Sequence, residues 1–136
     1  MLVFFALGLS ARASPGAGVW IDHSPLPSGR QEVGVAEVAG KIYVVGGFDS
    51  NTQSVNTVER YDPTSDQWEA VLPIPATNPI NHVGAASVNG KLYVVGGLRQ
   101  NFTGVNWVFC YDPDSNSWSN KADMPTERGA MGVAVI

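Results

Sequence analysis

The 136-residue sequence predicts an all-β protein in which four-stranded antiparallel sheets repeat and stack as the blades of an incomplete β-propeller. The block Gly-Lys-Ile-Tyr-Val-Val-Gly-Gly at residues 40–47 returns almost unchanged at residues 90–97. A Tyr-Asp-Pro turn followed by Trp returns at the same spacing, from residues 61–68 to residues 111–118. No window has a helical period over a helical length. The spacing of the two copies is 50 residues. A unit of this length that is made of short strands and turns cannot bury its own faces, so it must stack on copies of itself.

The first two strands of each unit form a predicted hairpin. Residues 33–38 and 83–88 are extended segments rich in small residues, and each is followed by a turn that closes on Gly40 or Gly90. In the second unit this turn is Asn-Gly, which is among the strongest short hairpin signals. The next run, residues 41–45, is apolar at successive positions, which predicts a strand buried on both faces. Each sheet is therefore expected to lie between two others.

A pair of glycines ends the second strand of each unit. Gly46 and Gly47 close the first copy, and Gly96 and Gly97 close the second. Glycine is required where the backbone adopts positive φ, or where a neighbouring chain approaches so closely that a Cβ would block it. We predict that these four glycines are structural.

The third and fourth strands are joined by a tight turn. Residues 57–61 and 107–111 are predicted as the third strand, and the Asp-Pro pair after each one suits a turn. The tryptophan that follows opens the fourth strand. The repeat aromatic residues predicted to be structural are Tyr61, Tyr111, Trp20, Trp68 and Trp118.

Together these motifs resemble the kelch repeat. The Val-Val-Gly-Gly block, the Tyr-Asp-Pro turn and a Trp seven residues before a Pro stand in fixed register, and the resemblance covers approximately residues 19–136. It implies a kelch-type β-propeller in which the strand that contains Gly34 is innermost in its blade. The strand that contains the tryptophan is then outermost.

The repeats divide the chain into parts that do not complete a propeller. Trp20 precedes Pro27 by seven residues, which predicts an outer strand at residues 19–21, and residues 128–136 match an innermost strand. The predicted parts are a signal peptide at 1–13, a leading outer strand and linker at 14–29, blade 1 at 30–79, blade 2 at 80–127 and the first strand of a truncated blade 3 at 128–136. Closed propellers need at least about four blades. We therefore expect either a shortened sequence or a piece that needs further blades or other copies of itself to close.

The first residues predict secretion. Residues 1–9 form an apolar run too short to span a bilayer, and Ala11-Arg12-Ala13 has the small-x-small form of a signal-peptidase site. Cleavage near Ala13 would send the protein to the extracellular space or the periplasm. No basic residue precedes the run, so a cytoplasmic chain with a degenerate repeat or a misplaced start remains the alternative.

Composition excludes several partners and cofactors. The chain has 8 basic and 12 acidic residues and no basic stretch that could follow a phosphate backbone, so nucleic acid is excluded as a partner. The single Cys110 excludes an internal disulfide, and His23 and His82 have no carboxylate spacing that would complete a metal site. No catalytic motif is recognisable, and we predict no cofactor, no metal and no membrane span. Asn101-Phe102-Thr103 is a candidate N-glycosylation site.

The resemblance also implies where a ligand binds. In many kelch propellers the ligand surface is formed by the outer-to-inner and the second-to-third strand loops. Arg30 and Arg128 each stand four residues before a repeat glycine, where kelch domains that grip acidic peptides place an arginine. Blade 2 has Ile80 there, with Asn81 and His82 beside it. The alternative is that the arginines only hydrogen-bond blade backbones.

Two loop features add further candidates. The connection at residues 76–81 carries a two-residue insertion relative to the other outer-to-inner connections, and variable loops on a constant scaffold are where specificity usually sits. The second-to-third strand loops, residues 48–54 and 98–104, should lie on the same face. The polar and aromatic residues that they contribute are Asp49, Asn51, Arg99 and Phe102.

Taken together, the sequence predicts a non-catalytic kelch module that recognises a protein or a glycan through loops on one propeller face. The first alternative is the N-terminal part of a secreted kelch-propeller enzyme, either galactose-oxidase-like or a sugar isomerase, with its catalytic residues on blades outside this sequence. The second is an intracellular adaptor. The fold alone cannot choose among these three, because one scaffold hosts many activities.

Overall fold

The structure is a computed structural model that describes residues 18–136, so the predicted signal peptide lies outside the described residues. The described part contains ten β-strands and no helix, which confirms the all-β prediction. Within it, no helical segment is long and apolar enough to cross a membrane.

Blade 1 is a four-stranded antiparallel sheet whose strands follow chain order. Its strands are β1 (Gly34–Val38), β2 (Lys41–Val45), β3 (Val58–Asp62) and β4 (Gln67–Val71), paired in the order β1-β2-β3-β4. The third strand is displaced by one residue from its predicted position, and the first begins at the repeat glycine rather than at Val33.

Blade 2 repeats the same sheet and adds a short pair of strands at one end. Its main strands are β6 (Gly84–Val88), β7 (Lys91–Val95), β9 (Val108–Asp112) and β10 (Ser117–Asn120), and the added pair is β5 (Ile80–Asn81) with β8 (Leu98–Arg99). In blade 1 the corresponding pair is reduced to a single bridge between Gln31 and Phe48.

The predicted hairpins form with the expected turns. Both residues of each turn have positive φ, 51° and 79° at Ala39 and Gly40 and 51° and 73° at Asn89 and Gly90. This is the turn whose twist matches that of two antiparallel strands. The register is set accordingly, with Val38 opposite Lys41 in blade 1.

The two blades pack face to face, and the core lies between them. Tyr43 of blade 1 and Tyr111 of blade 2 are each 1% exposed, and their rings lie 5.9 Å apart. Leu92 and Val94 on the facing side of blade 2 are fully buried. Each such side chain contributes about 1.5–3 kcal/mol by leaving water, so stacking rather than strand propensity supplies most of the stability.

The glycine pairs lie where each blade contacts the segment that follows it. Gly46 and Gly96 have φ of 61° and 58°, and a Cβ on Gly46 would lie 2.8 Å from the carbonyl oxygen of Ile80. The amides of Gly47 and Gly97 donate to the carbonyls of Ile80 (3.1 Å) and Arg128 (2.9 Å). Only glycine allows the backbones to approach in this way.

The repeat aromatic residues hold the outer half of each blade to the preceding segment. The Trp68 indole donates to the Ser24 carbonyl at 2.8 Å, and the Trp118 indole donates to the Leu72 carbonyl at 3.0 Å. Since Ser24 and Leu72 each stand four residues after a repeat tryptophan, residues 18–28 occupy the position of a preceding outer edge. The Tyr61 hydroxyl completes the first contact by donating to Asp66 at 2.6 Å.

The two terminal strands that the sequence predicts are not formed. Residues 19–21 are not a strand, and Trp20 is 99% exposed. Residues 128–136 are also irregular, although Met131 and Val133 lie close to Gly84 of β6. A strand requires a neighbouring backbone edge that exchanges hydrogen bonds with it, and no described segment offers one to either stretch. Trp20 consequently lacks the contacts that Trp68 and Trp118 make.

Candidate functional site

The two second-to-third strand loops lie side by side at the end of the sheets where β2 and β7 finish, as predicted. The Gln100 side chain joins them, because its Oε1 accepts from the Ser54 amide at 2.6 Å and its Nε2 donates to the Thr52 carbonyl at 2.9 Å. We call this surface, formed by residues 48–54, 76–82 and 98–104, the loop face. It is continuous across both blades.

Each loop is shaped by its own side chains. In blade 1, Asp49 Oδ1 accepts from the amides of Asn51 (2.9 Å) and Gln53 (2.8 Å). In blade 2, Asn101 Oδ1 accepts from the Thr103 hydroxyl at 2.6 Å. Asn51 and Asn101 are both exposed at the loop tips. These local bonds fix the loops before any ligand arrives.

Arg99 is the least compensated charge of the loop face. It stands where blade 1 has Asp49, and its guanidinium lies over the Trp107 ring, 5.2 Å from the ring centre. Its Nε is buried without a hydrogen-bond partner, and within residues 18–136 the side chain makes no ion pair. A half-buried guanidinium with free donors is suited to binding a carboxylate or another oxyanion.

A cleft of about 520 Å³ opens beside Arg99. Two of its lining residues, Asn78 and Pro79, come from the connection that carries the predicted insertion. The remaining lining residues are Gln53, Ser54, Arg99, Gln100 and Asn101. The insertion and both loops therefore build one cleft, with one cation among hydroxyl and amide groups.

Asn81 and His82 lie beneath the loop face and contact its residues from the protein interior. Asn81 is fully buried and donates to Ser54 Oγ at 2.7 Å, so it holds the loop scaffold and is not available to a ligand. Its Oδ1 lies 2.5 Å from His82 Nδ1, while His82 Nε2 lies 3.1 Å from the carboxylate of Glu32. Both ring nitrogens of His82 thus face oxygen acceptors.

An aromatic group, which the sequence did not reveal as a unit, lies next to this scaffold. The ring centres of Phe48, His82 and Phe102 are about 6 Å apart in each pair. Phe102 is 63% exposed and, together with Phe48 and Gln100, lines an apolar cleft of about 320 Å³. The three rings come from three separate segments, so only the fold brings them together.

The structure removes Arg30 from the candidate ligand residues. Its side chain is 1% exposed and donates to the carbonyls of Gly46 (2.8 Å), Thr57 (2.9 Å) and Val44 (3.2 Å). A 2.6 Å ion pair with Glu59 completes the arrangement. All of these acceptors belong to blade 1, so Arg30 is bound to its own blade backbone, which was the alternative interpretation.

Arg128 differs from Arg30 although it stands at the same repeat position. Its side chain is exposed and bonds only to the Thr126 hydroxyl, two residues earlier. The two arginines contact different blades and share no partner. The described residues therefore contain no arginine ring.

The shifted ionisable groups lie mainly at the opposite, turn end of the blades. The Lys41 ammonium and the Thr64 hydroxyl and amide lower the pKa of Asp62, and Lys91 likewise lowers the pKa of Asp112. The Tyr61 hydroxyl and the Ser24 amide lower the pKa of Asp66 to about 2. These groups stabilise turns. In the described part of the chain, no three His, Cys, Asp or Glu side chains gather closely enough to hold a metal.

The stacked four-stranded sheets define a class of protein, the β-propeller repeat proteins, and comparison with known proteins identifies the family. The family model for the Kelch motif matches residues 29–71 and 79–125, more than half of the chain. The chain belongs to the kelch-repeat family.

Several curated proteins and a solved structure resemble the chain. Kelch-like protein 9 of Mus musculus is 40% identical over 63 residues, which is 46% of this chain and 10% of that protein. Kelch-like protein 41 of Homo sapiens is 43% identical over 60 residues, 43% of this chain and 10% of that protein. The chain thus spans about a tenth of the length of these relatives. The structure titled "Structure of YjhT" superposes with a TM-score of 0.69 at 22% identity, covering 79% of this chain and 42% of that one, which shows the shared fold.

Proposed function

We propose that this chain is a non-catalytic protein-binding module that grips an acidic segment of a partner protein on its loop face. The observation that carries the proposal is Arg99, whose guanidinium lines the 520 Å³ cleft without an ion pair among the described residues. Kelch repeats typically serve as protein-interaction modules, and the loop face uses the loops that vary between the blades.

The cleft suits a carboxylate for physical reasons. The Arg99 guanidinium makes no hydrogen bond or ion pair within residues 18–136, so an anion in the cleft would supply the acceptor that its Nη groups lack. The side-chain amides of Gln53 and Gln100 offer further donors around it. The exposed ring of Phe102, beyond Gln100, provides apolar area next to the charge. A peptide with an acidic residue beside an apolar one fits this surface.

The location outside the cell is part of the same proposal. It rests on the apolar run of residues 1–9 and the site at Ala11-Arg12-Ala13. Intact-mass measurement of the exported protein tests it, because cleavage near Ala13 removes a defined mass. Recovery of the chain with residues 1–13 attached would refute secretion without affecting the binding proposal.

A binding experiment tests the acidic-segment proposal. The probe is a fluorescein-labelled peptide of alternating glutamate and glycine, compared with its glutamine counterpart by fluorescence anisotropy. Arg99→Gln should weaken binding of the glutamate peptide by about tenfold to a hundredfold, since a charge-assisted hydrogen bond is worth about 1.5–3 kcal/mol. Lys121→Gln is the matched control, because Lys121 is exposed and makes no side-chain bond in the described structure.

Three results would overturn the proposal. Equal affinity of the wild-type chain for the glutamate and glutamine peptides would show that the site does not recognise the negative charge of the ligand. Equal weakening by Lys121→Gln and Arg99→Gln shows that only net charge matters. If the chain binds a glucuronate oligosaccharide through Arg99 but not the peptide, the ligand is a glycan and the protein partner is wrong.

A further inference from the structure

The two blades differ in a coordinated way at one place, between the outer-to-inner connection and the start of the third strand. In blade 1 this place is filled by the chain itself. The Ser28 hydroxyl lies 3.0 and 3.1 Å from the two carboxylate oxygens of Glu59, and the guanidinium of Arg30 binds Glu59 and the Thr57 carbonyl. In blade 1, a carboxylate and several backbone carbonyls therefore accept all the hydrogen bonds that this guanidinium makes.

Blade 2 lacks the polar side chains that occupy this place in blade 1. The positions of Ser28 and Arg30 are taken by Ala76 and Ile80, neither of which carries a polar side-chain group. A cleft of about 300 Å³ is open at this place. Its lining residues are Pro75, Ala76, Thr77, Trp107, Val108, Phe109, Asn120 and Asp123.

The replacements at the walls of the cleft change its chemistry. Thr57 is replaced by Trp107 and Glu59 by Phe109, so aromatic rings stand where blade 1 has a hydroxyl and a carboxylate. The negative charge returns at the rim, because Asp123 occupies the position of Pro73. Asp123 is exposed and makes no ion pair or side-chain hydrogen bond within residues 18–136. The cleft thus combines apolar and aromatic walls with one free carboxylate.

The geometry points to a second ligand site: the cleft of blade 2 accepts an arginine side chain of the partner protein, with Asp123 as its counter-ion. The aliphatic stem of arginine packs along Pro75 and Val108, and its flat head reaches the rim. Trp107 already has the guanidinium of Arg99 over its ring. An indole that already stacks against one guanidinium can offer the same kind of contact to a second, and Asp123 offsets the added positive charge.

The inference rests on the proposed function only in taking the arginine to belong to a protein partner. Since Trp107 both contacts Arg99 and lines the second cleft, the two clefts lie close together on either side of the inserted connection. The partner segment would then present an acidic residue to Arg99 and a basic residue to Asp123. The surface would therefore select partner segments in which an acidic and a basic residue lie at this spacing.

The test uses small probes that contain only the basic group. The full chain, labelled with ¹⁵N, is titrated with N-acetyl-arginine methylamide and, separately, with N-acetyl-citrulline methylamide, which has the same shape without the charge. The arginine derivative should move the indole signal of Trp107 and leave those of Trp20, Trp68 and Trp118 in place. Asp123→Asn should weaken the response about twofold to fivefold, as expected for an exposed ion pair.

Control measurements make each outcome decisive. Asp114→Asn removes a charge from the exposed turn between β9 and β10 and should leave the titration unchanged. The inference is overturned by equal responses to arginine and citrulline, by a Trp107 signal that does not move, or by an unchanged titration in Asp123→Asn. A response of Trp107 to maltose at concentrations where arginine gives none would assign the cleft to a sugar. Because Arg99→Gln is not used here, failure of this test leaves the acidic-segment result intact, and the reverse also holds.

Discussion

The buried Arg30–Glu59 pair offers the sharpest test of how the blades are held together. Both side chains are almost without solvent contact, with 1% and 8% exposure, and they lie 2.6 Å apart. Removing one partner of a buried pair leaves an uncompensated charge, which costs about 3–5 kcal/mol. We expect Arg30→Met to reach this range, because it strands the Glu59 carboxylate and also removes the donor to the carbonyls of Gly46 and Val44.

Glu59→Gln should cost less than Arg30→Met. The three carbonyls around the guanidinium remain, and the glutamine keeps an oxygen that can accept from Arg30 or Ser28. We expect about 1–3 kcal/mol, the range for a hydrogen bond to a charged group. The free energy of unfolding is measured by urea denaturation at pH 7 with a common slope, so that changes in midpoint report stability.

The decisive variant carries both changes and copies blade 2. Ile80 and Phe109 stand at the positions of Arg30 and Glu59, so the double variant Arg30→Ile with Glu59→Phe replaces the ion pair by a pair that this chain already uses. Replacement of buried ion pairs by apolar groups of similar volume is often neutral or stabilising by about 1–4 kcal/mol. With Arg30→Ile and Glu59→Phe also measured singly, the double variant should therefore lose much less stability than the sum of those two losses. Additive losses, or an Arg30→Met loss below about 1 kcal/mol, would refute the reasoning.

Three further outcomes follow from the structure. Gly46→Ala should lower the free energy of unfolding by more than about 1 kcal/mol, because its Cβ would lie 2.8 Å from the Ile80 carbonyl oxygen at a φ of 61°, whereas the exposed Gly29→Ala should not. The Asp66–Tyr61 bond should stabilise the fold at neutral pH: Asp66, with a pKa lowered to about 2, loses its contribution as the pH falls from its unfolded value of 3.8 through 2, and Tyr61, with a pKa raised to about 12, loses its contribution as the pH rises from 10 through 12. Asp66→Asn should reduce, but not abolish, the acid-side loss of stability in circular-dichroism melts, because Asp62 and Asp112 also have lowered pKa values. Asn101 should carry an N-glycan when the chain is secreted from a glycosylating host, detected as a mass lost on treatment with a glycosidase and absent in Asn101→Gln.

The sequence predicted the blades well because the relevant information is local and occurs twice. A glycine pair, an Asn-Gly turn and a run of apolar residues each determine backbone conformation over a few positions, and the second copy confirms the register of the first. Strand limits differ by only a residue at β1 and β3. The terminal strands were wrong because a strand is not a local property. Residues 19–21 have the right residues but lack a backbone edge to pair with.

The candidate site was predicted less well, and Arg30 shows why. A sequence pattern can place an arginine at the start of an inner strand, but it cannot say whether the side chain turns outward or inward. Here the inward acceptors are mainly carbonyls of Gly46, Thr57 and Val44, which any residue type would supply. Among its partners, only Glu59, 29 residues after Arg30, has a side chain that could have indicated an ion pair from the sequence. Arg99 was predicted only as one of several polar residues of the second-to-third strand loops, and its place beside the cleft follows from the fold.

The differences between the blades explain how a repeated scaffold gains a binding surface. Blade 1 satisfies its own loop end, since Arg30 and Ser28 fill the space beside Glu59 and Asp49 caps its own loop. Blade 2 keeps the same strands but has neither the Arg30–Ser28–Glu59 contacts nor the Asp49 cap. In their absence, Arg99 and Asp123 carry charges of opposite sign without an ion-pair partner in the described residues.

Each of these changes alone would cost stability, because it leaves a cleft or a free charge where blade 1 has a closed contact. The structural requirement on the loop end is met by Ile80 and Phe109, whose burial replaces the ion pair. Arg99 and Asp123 take no part in that contact. Charges without an ion-pair partner, beside open clefts, are available for recognition. We therefore propose that Arg99 and Asp123 of blade 2 bind the partner, whereas Ser28, Arg30 and Glu59 of blade 1 hold the blade together.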